Sequence, residues 1–151
     1  MGFFRPSTGL WAIQGVTRAY FGTMSDQLAP GDYNGDGTTD IGIFRPSSGL
    51  WAVRGITRAY FGSESDKAVP MPKDSGGQYV PGIFRPSTGL WAIRGVTRAY
   101  FGTSSNQLVP GSYAKWWRKD VGIFKCSTGL WAIDGVSRFY YGKSGDIQVT
   151  H

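Results

Sequence analysis

The chain is a succession of short apolar runs broken by Gly, Pro and Ser. In Asp40-Ile-Gly-Ile-Phe-Arg-Pro46, Ile41 and Ile43 fall on one face of an extended strand, Gly42 and Phe44 on the other. Ser47-Ser-Gly49 then carries turn chemistry, with Gly49 free to take a positive φ. A second strand, Leu50-Trp-Ala-Val-Arg54, stops at Gly55, and a third, Ile56-Thr-Arg-Ala-Tyr-Phe61, stops at Gly62. The polar stretch Ser63-Glu-Ser-Asp66 leads to a short fourth strand, Lys67-Ala-Val69, ended by Pro70. No window carries the i, i+3, i+4 apolar spacing of a helix. The pattern predicts an all-β chain.

That pattern is written four times. Positions 3–22 return at 43–62, 83–102 and 123–142, a period of 40 without a slip, as Trp11, Trp51, Trp91 and Trp131 show. Between the first and third copies only Phe3/Ile83 and Gln14/Arg94 differ. Four short strands in about 40 residues predict a β-propeller-like fold of four-stranded antiparallel blades. The single repeat domain would cover 1–151, with blades at about 3–42, 43–82, 83–122 and 123–151. Trp and Phe would fill the space between blades, and small residues such as Gly42 and Ala52 would let sheets approach. A stacked β-solenoid is the rival, but its coils are usually shorter. The last fourth strand is expected at Asp146-Ile-Gln-Val149, so the chain reads as four whole blades. Four is at the small end for a propeller, which leaves two outcomes: closure of one chain, or completion as a homo-oligomer.

Composition follows from the repeat. The 23 Gly, 9 Phe, 8 Tyr and 6 Trp belong largely to one recipe copied four times, and so much aromatic residue argues against disorder. One Cys and one His (Cys126 and the terminal His151) exclude a disulfide framework, a cysteine zinc cage and a His-rich metal site. Cys126 stands where Pro6, Pro46 and Pro86 stand and reads as an inert thiol. No apolar run is long enough to span a membrane, and no basic-then-apolar leader is present. No catalytic residue is assigned. The chain reads as non-enzymatic.

A net charge of +6 comes mostly from copied arginines. Arg5, Arg45 and Arg85 recur with Lys125 in the fourth place, and Arg18, Arg58, Arg98 and Arg138 recur throughout. They read as repeat contacts, for instance to a neighbouring blade's carbonyls; the other reading is an anion-attracting ring. Nucleic acid is not an expected partner, because the aromatics sit in strand cores rather than along a basic stripe.

One junction carries ion chemistry. Asp32-Tyr-Asn-Gly-Asp-Gly-Thr-Thr-Asp40 puts Asp32, Asn34, Asp36 and Asp40 at positions 1, 3, 5 and 9 of a tight loop, with the Thr38 carbonyl at position 7. Hard Ca²⁺ takes six to eight oxygens in such loops, so one Ca²⁺ is expected in this first inter-repeat loop. Position 12 is Ile43 rather than Glu, and a strand follows, so this is not a helix–loop–helix hand. The alternative is an Asx/Gly-rich turn with no ion.

The string Pro30-Gly-Asp-Tyr-Asn-Gly-Asp-Gly-Thr-Thr-Asp-Ile-Gly-Ile-Phe-Arg-Pro46 resembles the FG-GAP/VCBS-type repeats of bacterial secreted and surface proteins. The strand–turn–strand part of the resemblance covers all four units. It implies a calcium-binding β-propeller, secreted or at the cell surface, that serves binding or adhesion. The other junctions depart from it. Pro72, Asp74, Gly76 and Val80 in the second, and Ser112, Ala114, Trp116 and Asp120 in the third, build no carboxylate cage.

Near-identical strands with wholly different junctions are what a recent duplication with diversified loops, or an engineered scaffold, would produce. Recognition normally resides in such loops. Trp116, Trp117 and Arg118, in the basic third junction, are therefore the expected binding surface for a protein or glycan ligand. A lectin-like propeller with carbohydrate sites between blades is the competing function. It requires an aromatic, an Arg and an acid at each junction, and no acid recurs inside the strand modules.

Overall fold

A computed structural model of the chain describes residues 2–15, 17–114, 119–144 and 146. No helix occurs among them. The first unit supplies β1 (Gly2–Arg5), β2 (Leu10–Ile13), β3 (Thr17–Tyr20) and the short β4 (Gln27–Leu28). The second supplies β5 (Gly42–Arg45), β6 (Leu50–Val53), β7 (Thr57–Tyr60) and β8 (Lys67–Ala68). Then come β9 (Met71–Pro72) and β10 (Tyr79–Val80), which among the described residues pair only with each other. The third unit gives β11 (Gly82–Arg85), β12 (Leu90–Ile93), β13 (Thr97–Tyr100) and β14 (Gln107–Leu108). The last gives β15 (Gly122–Lys125), β16 (Leu130–Ile133) and β17 (Ser137–Tyr140).

The molecule is thus all-β, a set of small antiparallel sheets. Their composition differs from the repeat boundaries read in the sequence. Each short strand pairs with the first long strand of the next unit, not with its own: β4 with β5, β8 with β11, β14 with β15. The four-stranded sheets therefore run 27–60, 67–100 and 107–140, and β1–β2–β3 has three strands among the described residues. A short strand of two residues has too little pattern to choose its partner. The chain's path chooses it.

Register repeats exactly as the sequence does. Phe4, Phe44, Phe84 and Phe124 stand opposite Trp11, Trp51, Trp91 and Trp131, with ring centroids 5.0–5.2 Å apart. Each indole N–H donates to the carbonyl just beyond its third strand, as in Trp51 to Phe61 at 2.9 Å. Gly49 takes φ 68°, and a Cβ there would lie 2.6 Å from the Gly62 carbonyl oxygen. The turn and the end of the third strand meet backbone to backbone, and the Phe61 N–H donates to the Gly49 carbonyl at 2.8 Å. Only Gly fits there.

Three apolar cores lie between consecutive sheets. Phe4, Trp11 and Phe21 meet Ile41, Ile43 and Ala52; Phe44, Trp51 and Phe61 meet Ile83, Leu90 and Ala92. Phe84, Trp91 and Phe101 meet Val121, Ile123 and Ala132. One sheet always offers its Phe/Trp face and the next its Ile/Ala face, which alternation along the strands produces directly. Trp51 and Trp91 are fully buried, and truncating such a side chain to Ala costs about 3–5 kcal/mol. Gln27 adds a polar strap between sheets. Its amide donates to the Asp66 carbonyl at 3.0 Å and accepts the Ala68 N–H at 2.7 Å.

Candidate functional site

The first junction is closed at its base by a bridge between Gly31 and Asp40. Inside it, the backbone winds around Asp32. The Asp32 Oδ1 accepts the N–H groups of Gly35 (2.7 Å) and Asp36 (3.1 Å), and Oδ2 accepts that of Gly37 (2.8 Å). The Asn34 Oδ1 accepts the Asp36 N–H at 2.9 Å while its Nδ2 donates to Asp36 Oδ2 at 2.9 Å. The Thr38 N–H donates to Asp36 Oδ1 at 2.7 Å. The hydrogen bond from Asn34, then that from Thr38, holds the Asp36 carboxyl below its usual range. Asp40 stands apart from this set, with Oδ2 accepting the Tyr33 N–H at 2.8 Å.

Of the expected calcium ligands, the fold brings Asp32, Asn34 and Asp36 together and ties Thr38 to them through its N–H. Asp40 sits at the loop base. The donor set is hard oxygen throughout, the chemistry that suits Ca²⁺. Among the described residues, however, no three Asp, Glu, His or Cys side chains form an ion-holding cluster. The carboxylates serve here as caps for loop N–H groups.

The second junction docks on the first. It is a hairpin in which Lys73 N–H donates to the Gln78 carbonyl at 2.7 Å and Gly77 N–H to that of Asp74 at 3.2 Å. From it, the Tyr79 N–H donates to the Asp32 carbonyl at 2.6 Å, and the Gln78 amide to the Tyr33 carbonyl at 2.9 Å. Tyr79 packs edge-on against Tyr33 at 6.4 Å and covers Gly31, where a Cβ would lie 2.7 Å from its ring. Burial above all, with the charge of Asp40, pushes the Tyr33 phenol up; its O–H donates to the Ala29 carbonyl at 2.8 Å.

The third junction reuses the frame of the first. Gly111 bridges Asp120, Asp120 Oδ2 accepts the Tyr113 and Ala114 N–H groups at 3.1 and 2.8 Å, and the Tyr113 O–H reaches the Val109 carbonyl at 2.9 Å. This Tyr–Asp pair, seven residues apart at 33/40 and 113/120, was visible in the sequence behind the unlike loops. The expected binding residues Trp116, Trp117 and Arg118 lie outside the described residues.

Two hollows open between sheets. A cavity of about 440 Å³ is walled by Lys73 and Asp74 of the second junction, Lys119 and Asp120 of the third, and Asp134 at the end of β16, over an apolar floor including Met71 and Ile93. A shallower cleft of about 420 Å³ lies between Tyr60 of one sheet and Ile83, Arg85, Leu90 and Arg98 of the next. Tyr20, Tyr60, Tyr100 and Tyr140 are 73–75% exposed, and the Arg18 set is exposed with them.

The other arginine set corrects the sequence reading. Arg45 and Arg85 bind carboxylates, not carbonyls. Each grips Asp26 or Asp66 through Nε at 2.8 Å and a terminal nitrogen at 2.9 Å. These aspartates have no exposed side-chain surface. Burial alone would raise their pKa values, but hydrogen bonds from the arginine and from the Thr23 or Ser63 N–H, with the arginine charge, bring them below the ordinary value. An acid does recur, four residues beyond the Gly that ends three of the four strand modules (Asp26, Asp66, Asp146, with Asn106 in the third), where a search inside the modules misses it.

No protein-family model, no curated protein and no solved structure matches the chain.

Proposed function

We propose that the chain is a non-enzymatic binding module of the propeller type, resembling secreted or surface FG-GAP/VCBS repeats, that recognises its ligand with its variable junctions. One observation carries this reading: the 440 Å³ cavity is walled by two junctions of unlike sequence on a frame of nearly identical strands. Walls of both signs over an apolar floor suit a polar ligand of modest size, such as a peptide segment or a glycan. The first junction would be stiffened by Ca²⁺ held through Asp32, Asn34, Asp36, Thr38 and Asp40, which draws the carboxylates off the loop N–H groups and supplies rigidity, not chemistry.

A screen of peptide and glycan arrays with the wild type and a Lys73→Ala/Asp134→Ala variant tests the site. The variant should lose at least about tenfold in affinity for the ligand found, since a desolvated charged contact contributes 2 kcal/mol or more; unchanged binding rejects the cavity. Thermal melts test the ion. Saturating Ca²⁺ at about a hundred times its Kd stabilises by ~2.7 kcal/mol, and Asp36→Ala should abolish the upward shift. Equal melts with Ca²⁺ and with chelator reject it.

The cleft between Tyr60 and Arg98 favours a second reading, a carbohydrate-binding module with an aromatic platform at each sheet junction. That reading predicts several equivalent weak sites, binding that survives Lys73→Ala/Asp134→Ala, and loss in Tyr60→Ala.

A further inference from the structure

The three internal joints define what each end of the array is built to meet. At every joint a Phe/Trp face packs on an Ile/Ala face. Among the described residues the first sheet has an Ile/Ala-type face with no partner: Phe3 is 54% exposed, where Ile43 and Ile83 are 2% and Ile123 is 7% exposed. The last sheet has the complementary face bare. Trp131 is partly exposed where Trp11, Trp51 and Trp91 are buried, and Phe139 and Tyr141 beside it are 42% and 77% exposed.

The polar half of the joint is divided in the same way. Asp146 accepts the Lys143 N–H at 2.8 Å, as Asp26 and Asp66 accept those of Thr23 and Ser63, so it already has the shape of their corner. Among the described residues it has no guanidinium. Arg5 occupies the place of Arg45 and Arg85, and among the described residues it has no carboxylate, only the Phe3 ring 5.7 Å away. Among the described residues β1 pairs only with β2, while β5, β11 and β15 each take a short strand on the other edge.

We propose that a second copy of this chain fills this joint, its Trp131, Phe139 and Tyr141 covering Phe3 and Ala12, and its Asp146 meeting Arg5. Among the described residues one folded chain leaves both halves exposed, and two copies satisfy both at once through two identical joints. A closed dimer leaves no face open; head-to-tail contacts that fail to close would instead run on as a filament. An exposed edge strand beside a bare apolar face is a liability that pairing removes. The inference stands apart from the ligand reading, because the joint uses strand modules and not the variable junctions.

Sedimentation of the 151-residue chain tests it. The expected mass is twice 16.5 kDa at micromolar concentration, with no larger species on concentrating. Phe3→Glu and Arg5→Glu change side chains that are exposed in one chain, so both variants should keep the far-UV spectrum of the wild type. Each should weaken the dimer at least about tenfold, as loss of a desolvated charged or aromatic contact does, and Arg54→Glu, on an internal sheet, should leave it unchanged. A wild-type monomer, a species that grows with concentration, or a dimer that survives either end variant overturns the proposal.

Discussion

The corner that follows β3, β7 and β13 exists in two chemical versions, and the molecule holds both side by side. After β3 and β7, Asp26 and Asp66 accept the Thr23 and Ser63 N–H groups at 2.8 Å and are gripped by Arg45 and Arg85. After β13, Asn106 accepts the Thr103 N–H at 2.7 Å, and position 125 is Lys. The backbone follows one path in all three, closing with an N–H to carbonyl bond of 3.0–3.2 Å from residue 26, 66 or 106. β14 also pairs with β15 in the register of β4 with β5. The neutral corner is therefore as well formed as the charged ones. A side-chain oxygen that caps the turn makes the corner, and the ion pair is added to it.

Removing both functions at once should have the largest effect. Asp66→Ala strands the Ser63 N–H and leaves Arg85 without its counter-charge, at a cost of about 2–3 kcal/mol in denaturant unfolding. Asp66→Asn keeps an oxygen at the cap, as Asn106 does, and should cost only about 1 kcal/mol. Equal losses in the two variants would mean that the ion pair, not the cap, builds the corner.

Acid should separate the versions next. The folded-state pKa values of Asp26 and Asp66 lie below the ordinary aspartate value. Their contribution is thus fully present above the unfolded value and is lost as pH falls below it, through the folded pKa. Asp26→Asn/Asp66→Asn should flatten the decline in stability as pH falls below about 4; a decline as steep as the wild type's would remove the pairs as its cause. The smallest change is a gain. Asn106→Asp/Lys125→Arg should install the third pair and stabilise by about 0.5–1 kcal/mol, in the range of a partly exposed ion pair.

The sequence made the strands legible because each side chain's face is set locally. Ile43 and Phe44 point to opposite cores, as alternation requires, and the predicted strands begin or end within two residues of the observed ones. Gly42 is also tight, but against the Ala29 carbonyl and the Tyr33 ring rather than an adjacent sheet. What stayed hidden was every contact between groups far apart in the chain with no local pattern. The partner of β4, the clasp of Arg45 on Asp26 across 19 residues, and the docking of Tyr79 on Gly31 all depend on where the path returns. In the first junction the spacing of Asp32, Asn34 and Asp36 was readable, but their use as N–H caps follows from the backbone winding that only the fold displays.

The contact between Gly49 and Gly62 sets a spacing that the whole array repeats. A side chain at either position of the pair meets rigid backbone or a buried neighbour, and the same approach recurs at Gly9/Gly22, Gly89/Gly102 and Gly129/Gly142. At Gly9, Gly49, Gly89 and Gly129 the obstacle is the carbonyl oxygen of the paired glycine itself, so turn and strand end are held at one fixed spacing four times along the chain.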